Sequence, residues 1–479
     1  MHPLEALARA VPDRQALREG QEIWSYARLY REASALAAEL HSAFGIRKGL
    51  RVATLAENSS RHVVALHALM LLGATVVPLN TRLSAAERAA QLDLVRPVLL
   101  LSDNANVESC SVPMRDLRAA PPPGDAAYLE TSPCTDDDLL SILFTSGSTA
   151  APKAVPHTWA QHRASSRGSR ENLGTQPDDA WLCVIPLFHI GGFAIVVRSL
   201  LYGSAVVLPA DNTPETLARE CRDGITLASL VPTMLHRMFR RDPELNGSNC
   251  PKLRAILLGG AAASPLLWEE IVRRGMPVLG TYGMTESCSQ ICTAPISNTA
   301  RYAGTAGVPI PGAELRIVDE KGNPCPASGA GEILVRGPMV MSGYLGNPSA
   351  NSERFVDGWF RTGDIGSIDD NGALNVLGRR DDVVISGGEN IYPAEIEAVL
   401  HMHPQIEGAI VVGVPDEEWG QRLAAVIQGE ASVEEELLPW CRNRLGPLKT
   451  PRLWKFVTDI PRTASGKPDR LAAKALFSN

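Results

Sequence analysis

The sequence predicts an α/β protein: a large N-terminal domain of mostly parallel sheets flanked by helices, a small β-rich subdomain, and a compact α/β segment at the C-terminus. Three observations predict it. Strand-like and helix-like stretches alternate from Ser25 to Tyr282, the order that produces parallel strands covered by helices. Over residues 305–377 the texture changes to short alternating strands with Gly, Pro and Asn turns, as in ELRIVD, GEILVRG and GALNVLG. After Gly378 the composition shifts again, leaving about a hundred residues, enough for a separate domain. A chain of 479 residues also exceeds what one core usually serves.

Leu29, Ala33, Leu36, Ala37 and Leu40 recur at helical spacing between Ser25, a plausible N-cap, and Gly45, a natural stop. Arg51 to Leu55 then reads as a strand, Ser60 to Leu72 as a helix and Ala74 to Pro78 as a strand. Ser84 to Leu94 reads as a helix in which Glu87 completes a capping box, and Val98 to Leu101 as a strand. The prolines of Ala119 to Gly124 and the acids Asp136 to Asp138 mark loops. Beyond them come strands at 139–144, 181–185, 205–208, 227–231, 256–259 and 278–282, with helices at 192–202, 214–221 and 265–274. Ligands gather at the carboxyl ends of such strands, so the loops after residues 144, 185, 258 and 282 are where chemistry is expected.

Composition excludes several classes of function. The net charge of -7 arises from mixed signs, with no basic stripe, which argues against a nucleic-acid partner. The nine cysteines are scattered without zinc-finger or disulfide spacing, as expected of a reducing cytoplasm. The apolar run from Val63 to Leu79 is broken by His67, Gly73 and Pro78, and reads as a buried helix and strand rather than a membrane span.

The stretch LFTSGSTAAPK, Leu143 to Lys153, is built for an anion. Thr145, Ser146, Ser148 and Thr149 supply hydroxyls, Gly147 frees the backbone to turn its N–H groups toward a ligand, and Lys153 adds a compact charge. It departs from the nucleotide-triphosphatase P-loop, because Pro152 precedes the lysine and Ala154 follows it. In Tyr282-Gly283-Met284-Thr285-Glu286 the Thr-Glu pair offers a hydroxyl and a hard oxygen ligand of the kind Mg2+ takes; the same pair also suits a helix start. Asp364 in WFRTGD presents a carboxylate at a turn, able to accept two ribose hydroxyls. Arg379, Asp381 and Asp382 follow Gly378, and Lys467 lies in the Gly/Pro-rich PRTASGKPDR. Taken singly, each of these reads equally well as a turn or a solvated charged loop.

Together and in this order the motifs closely resemble the adenylate-forming superfamily of acyl-CoA synthetases, nonribosomal adenylation domains and luciferases. The matching stretches are TSGSTAAPK at 145–153, YGMTES at 282–287, WFRTGD at 359–364, GRRDDVVISGGENIYPAEIE at 378–397 and PRTASGKPDR at 461–470. The resemblance implies an AMP-forming acid-CoA ligase that uses ATP, Mg2+ and coenzyme A. It implies an AMP-binding domain over 1–377, a hinge over 378–382 at Asp381, and a mobile domain over 383–479. Residues 145–153 would hold the β- and γ-phosphates, Thr285 the α-phosphate, Glu286 the metal, and Asp364 with Arg379 the ribose. Gly260, Ala261 and Tyr282 would bracket the adenine, with Gly283 beside them. Lys467 would bridge the substrate carboxylate and the α-phosphate, and Gly387 and Gly388 would line the coenzyme A tunnel after the mobile domain turns. One departure is Ala150, where the family usually has Gly; its methyl is expected to slow motion of the phosphate loop rather than abolish activity.

Arg198 stands alone among apolar residues, and a buried arginine needs a partner, either an acidic side chain or a second carboxylate on the substrate. DDAWLCVIPLFHIGG, VVRSLLYG and TYGMTESCSQI resemble the branch of the superfamily that activates o-succinylbenzoate, a diacid of menaquinone synthesis, more than its fatty-acid or acetate branches. That likeness implies that Arg198 holds the retained carboxylate, that His189 packs near the reacting carbon, and that Gln290 and His162 face the pocket. The alternatives are another aryl- or medium-chain acyl-CoA ligase and, more distantly, a catalytically dead nucleotide-binding homologue. A homodimer is compatible with the sequence.

Overall fold

A computed structural model describes residues 1–104, 112–119, 134–145, 152–463 and 468–477. Two sheets form the body of the molecule. The six-stranded one runs Met114–Asp116, Leu99–Ser102, Arg51–Leu55, Thr75–Pro78, Leu139–Thr145 and Lys153–Thr158, parallel except at the last pair. The nine-stranded one has a parallel centre made by Gln15–Glu19, Ala205–Leu208, Ala180–Leu182, Leu227–Leu230, Ala255–Leu258 and Val278–Met284, with antiparallel strands at both edges. The strand-helix alternation predicts parallel strands but not their division between two sheets, because pairing is decided by contacts distant in sequence. One core serves both sheets, with Val52, Val76 and Leu143 of the first packed in the same cluster as Leu17, Trp181 and Val206 of the second.

Local signals set the helix bounds. Tyr26–Phe44 starts on Ser25, whose hydroxyl accepts from the Arg28 N–H, and stops on Gly45 in the left-handed region at φ 66°. Ala85–Val95 carries the expected capping box of Ser84 and Glu87. In Ser60–Leu71 every residue but Arg61 is buried, the signature of a core helix. Among the described residues no helix is long and apolar enough to cross a membrane. The sequence reading passed over Trp159–Leu173, a polar helix whose capping box, Thr158 with Gln161, was the available signal. It also passed over Pro232–Arg241 and the edge hairpin Gln15–Ser25.

The β-rich part is a five-stranded antiparallel sheet holding Glu314–Val318, Gly331–Arg336, Trp359–Ile368 and Leu374–Arg379. Beyond it, Gly408–Asp416, Gly420–Gln428 and Leu453–Val457 make a small sheet with its own core. Arg240 of the body donates to the Pro404 carbonyl at 2.7 Å across the join between the two parts.

Burial of histidines near the N-terminus makes the fold acid-sensitive. Burial is the largest cause that pushes His2 down to about 3 and His62 and His67 down to about 4. Unfolded histidine titrates near pH 6.5, so below that pH the unfolded chain binds protons that the folded one refuses. The stability these groups confer is complete above about pH 6.5 and is lost as the pH falls toward 4, by about 2 kcal/mol per histidine at pH 5. Thermal unfolding followed across that window should show Tm falling steadily; a flat Tm contradicts the burial of these rings.

Candidate active site

The carboxyl end of Val278–Met284 meets the β-rich sheet at a three-residue cluster. Asp364 and Arg379 stand opposite each other across two antiparallel strands, which places Arg379 Nε 2.9 Å from Asp364 Oδ1. The Tyr282 hydroxyl donates to Asp364 Oδ2 at 2.6 Å, and burial together with the Asp364 charge pushes the phenol pKa well up, so it remains a donor. Gly260 and Ala261, both exposed, follow the neighbouring strand Ala255–Leu258, so the three residues expected around adenine lie on adjacent strand ends. Gly283 admits no side chain, because a Cβ there would lie 1.6 Å from the Ser289 carbonyl.

Past Gly283 the chain makes a tight turn, Thr285–Ser287, followed by Cys288 and Ser289 at φ 51° and 90°. Two consecutive non-glycine residues in left-handed geometry mark a backbone held by its surroundings. His157 holds it from below, donating Nε2–H to the Thr285 carbonyl at 2.7 Å, and the Met341 N–H donates to the Glu286 carbonyl at 2.8 Å. Tyr344 donates to Glu286 Oε1 at 2.7 Å, and the Lys153 ammonium lies 5.4 Å from the Tyr344 ring. Glu286 Oε2 has no partner among the described residues, so the carboxylate is oriented with one oxygen available, which fits a hard cation such as Mg2+. No sequence rule singles out Tyr344.

Thr145 stands directly opposite Lys153, so the two ends of the phosphate-loop segment adjoin. Ser146, Gly147, Ser148, Thr149 and Ala150 lie outside the described residues. So does Lys467, though Arg462 and Pro468 on either side of its segment pair as an isolated bridge.

A second cluster lies beneath the turn. Arg198, 2% exposed on the helix Ile190–Tyr202, donates to Ser165 Oγ at 3.0 Å, and Ser165 donates to the Cys288 carbonyl at 2.7 Å. The Arg198 Nε has no partner, no carboxylate pairs with the guanidinium among the described residues, and burial lowers its pKa. Both amide atoms of Gln290 are buried and unpartnered as well. His189 caps the same helix, half-buried, with its ring 4.6 Å from that of Phe188. His162 lies next to this group but is 2% exposed, bonded to Ser141 Oγ at 2.9 Å and packed on Phe193. Ser165 was missed because its helix was.

The remaining expected residues lie apart. Gly387 and Gly388 form the turn of the hairpin Val384–Ile391, whose hydrogen bonds beyond itself go to Trp419 and Gln421 of the C-terminal part, not to the Glu286 turn. Asp381 is exposed in the short turn Arg380–Asp382. Arg470 joins that turn to the tail by pairing with Asp382 at 2.9 Å and with Glu397.

Comparison with known proteins agrees with this geometry. Residues 4–345 match the AMP-binding enzyme family and residues 395–467 match the AMP-binding enzyme C-terminal domain. The chain is 42% identical to the 2-succinylbenzoate--CoA ligase of Bacillus licheniformis, over 97% of this chain and 98% of that one. It superimposes on o-succinylbenzoate CoA synthetase of Bacillus subtilis in complex with the acyl-adenylate intermediate OSB-AMP, with TM-score 0.90 and 36% identity over 99% and 98% of the two chains. Against a double mutant of the Bacillus subtilis enzyme bound to the product analogue OSB-NCoA, at the same identity and coverage, the TM-score is 0.74. On sequence, on fold and on the motifs gathered at the strand ends, the chain belongs to the AMP-binding enzyme family.

Proposed function

We propose that the chain is an ATP-dependent, AMP-forming acid-CoA ligase acting on 2-succinylbenzoate. The carboxylate attacks the α-phosphorus of ATP with loss of diphosphate, and the thiol of coenzyme A then attacks the acyl-adenylate with loss of AMP. The observation that carries the choice of acid is Arg198, a buried cation with no carboxylate partner among the described residues. An acid that keeps a second carboxylate supplies the negative partner that Arg198 lacks. His189, at the head of the same helix, packs against the acyl chain near the reacting carbon.

Adenylation joins two anions, so this chain's task is to position them and offset their charge. Lys153 and the 145–149 segment hold the β- and γ-phosphates, and Thr285 meets the α-phosphate. Asp364 receives the ribose hydroxyls, oriented by Arg379 and Tyr282, while Gly260, Ala261 and Gly283 let the adenine approach the backbone. Glu286 would hold Mg2+, which when bound would offset the negative charge of the departing diphosphate. Lys467 reaches both reacting groups from the C-terminal domain. Rotation about Asp381 withdraws it and brings Gly387 and Gly388 to line the thiol's path. The weaker likeness to the product-analogue complex supports such a rotation. The described cysteines form no disulfide, which supports a cytoplasmic setting.

An acid panel in an ATP-diphosphate exchange assay tests the reading. The expected result is exchange with 2-succinylbenzoate far above benzoate or a medium-chain acid. Equal use of all three favours a general acyl-CoA ligase, and no exchange with any of them means a dead homologue. Tyr344→Phe should raise the Mg2+ concentration needed for half-maximal exchange about tenfold, since it frees the metal carboxylate to rotate. An unchanged Mg2+ requirement would exclude Glu286 as the ligand that Tyr344 orients.

A further inference from the structure

A buried trio beneath the Thr285–Ser287 turn has no part in the ligation chemistry. One ring nitrogen each from His157 and His162, together with Cys288 Sγ, lie within 4.8 Å of one another, and all three residues are buried. They come from three elements, the strand Lys153–Thr158, the helix Trp159–Leu173 and the residue just past the turn. The His157 tautomer is set by its surroundings. Its Nε2–H is spent on the Thr285 carbonyl, leaving Nδ1 as a lone-pair donor that is buried and has no partner. A carbonyl on one ring nitrogen and a bare lone pair on the other is the arrangement that orients a metal-ligating histidine. His162 is likewise steadied through Nε2 by Ser141 Oγ.

We propose that His157, His162 and Cys288 form a binding site for one soft transition-metal cation of the zinc and cobalt class. Two imidazoles and a thiolate are ligands such ions prefer, and Mg2+ and Ca2+ do not. A tetrahedral zinc site sets nitrogen and sulfur ligand atoms about 3.3–3.6 Å apart, so closure of up to about 1.5 Å is required, supplied by side-chain rotation. Arg198, whose charge reaches Cys288 and His162, disfavours any cation held by charge alone. It therefore selects for an ion held by metal–sulfur and metal–nitrogen bonds. The thiol gives up its proton to solvent as the metal binds. Because His157 also supports the Thr285 carbonyl, occupancy pulls on the turn that carries Glu286, and zinc is expected to slow adenylation.

The test is a titration of chelator-treated full-length protein with Co2+, read by absorption. One equivalent per chain should produce a thiolate-to-cobalt charge-transfer band that Zn2+ abolishes and excess Mg2+ leaves unchanged. The band should vanish in Cys288→Ala, and in Cys288→Ser if the alanine variant fails to fold. His157→Gln should weaken Co2+ binding at least tenfold. Absence of the band in the unsubstituted protein, or its survival in the Cys288 variants, overturns the site.

Discussion

Replacing Lys467 with alanine is expected to slow acyl-adenylate formation about 10²–10³-fold, the usual loss when a single preorganised charge is removed from developing negative charge. Thioester formation from preformed acyl-adenylate should change by less than about tenfold, because in the proposed mechanism that step follows the lysine's withdrawal. Arg470 pairs with Asp382 and Glu397 and donates to the Val411 carbonyl at 2.8 Å, so the tail is fastened to the Arg380–Asp382 turn, where the hinge is proposed. In the proposed mechanism a turn about Asp381 would carry this tail with the C-terminal domain. Diphosphate exchange and single-turnover consumption of acyl-adenylate by coenzyme A measure the two steps separately. Equal loss in both would remove the account in which one domain serves two reactions in turn.

Arg198→Ala should lower kcat/KM for 2-succinylbenzoate about 10²–10³-fold, the cost of leaving a buried carboxylate without its charged partner. Benzoate and medium-chain acids, which present no second carboxylate, should change little, and it is this difference that identifies the role. A uniform loss across all acids would assign Arg198 to packing instead. The same substitution should not lower Tm of the ligand-free protein, since a guanidinium buried beside a single hydroxyl costs the fold more than it returns. Arg198→Lys should recover only part of the activity, because an ammonium cannot both keep Ser165 and present a fork to a carboxylate.

Much of this was readable in the chain itself. Ser25 and Gly45 bound their helix as their side-chain chemistry requires, and Ser84 with Glu87 closes the predicted box. Those features are legible because their partners lie within a few residues. Glu286, Asp364 and Arg379 were singled out from short motifs, since the phosphate and ribose sites proposed for them are built from a few adjacent residues at a strand end. The groups that complete the site were not. Tyr344 is 58 residues from Glu286, Ser165 is 123 from Cys288, and His157 is 128 from Thr285, so no local pattern links them.

The linear order of residues thus determined that this protein has alternating strands and helices and the motif chemistry of adenylation. Only the tertiary structure decided which strands share a sheet, which hydroxyl orients the Glu286 carboxylate, and that no acidic side chain among the described residues neutralises Arg198. The reason is physical. Caps, turns and phosphate loops are made by neighbours in sequence, whereas the partner of a buried charge is chosen by packing among distant segments, where desolvation makes every unpaired group count.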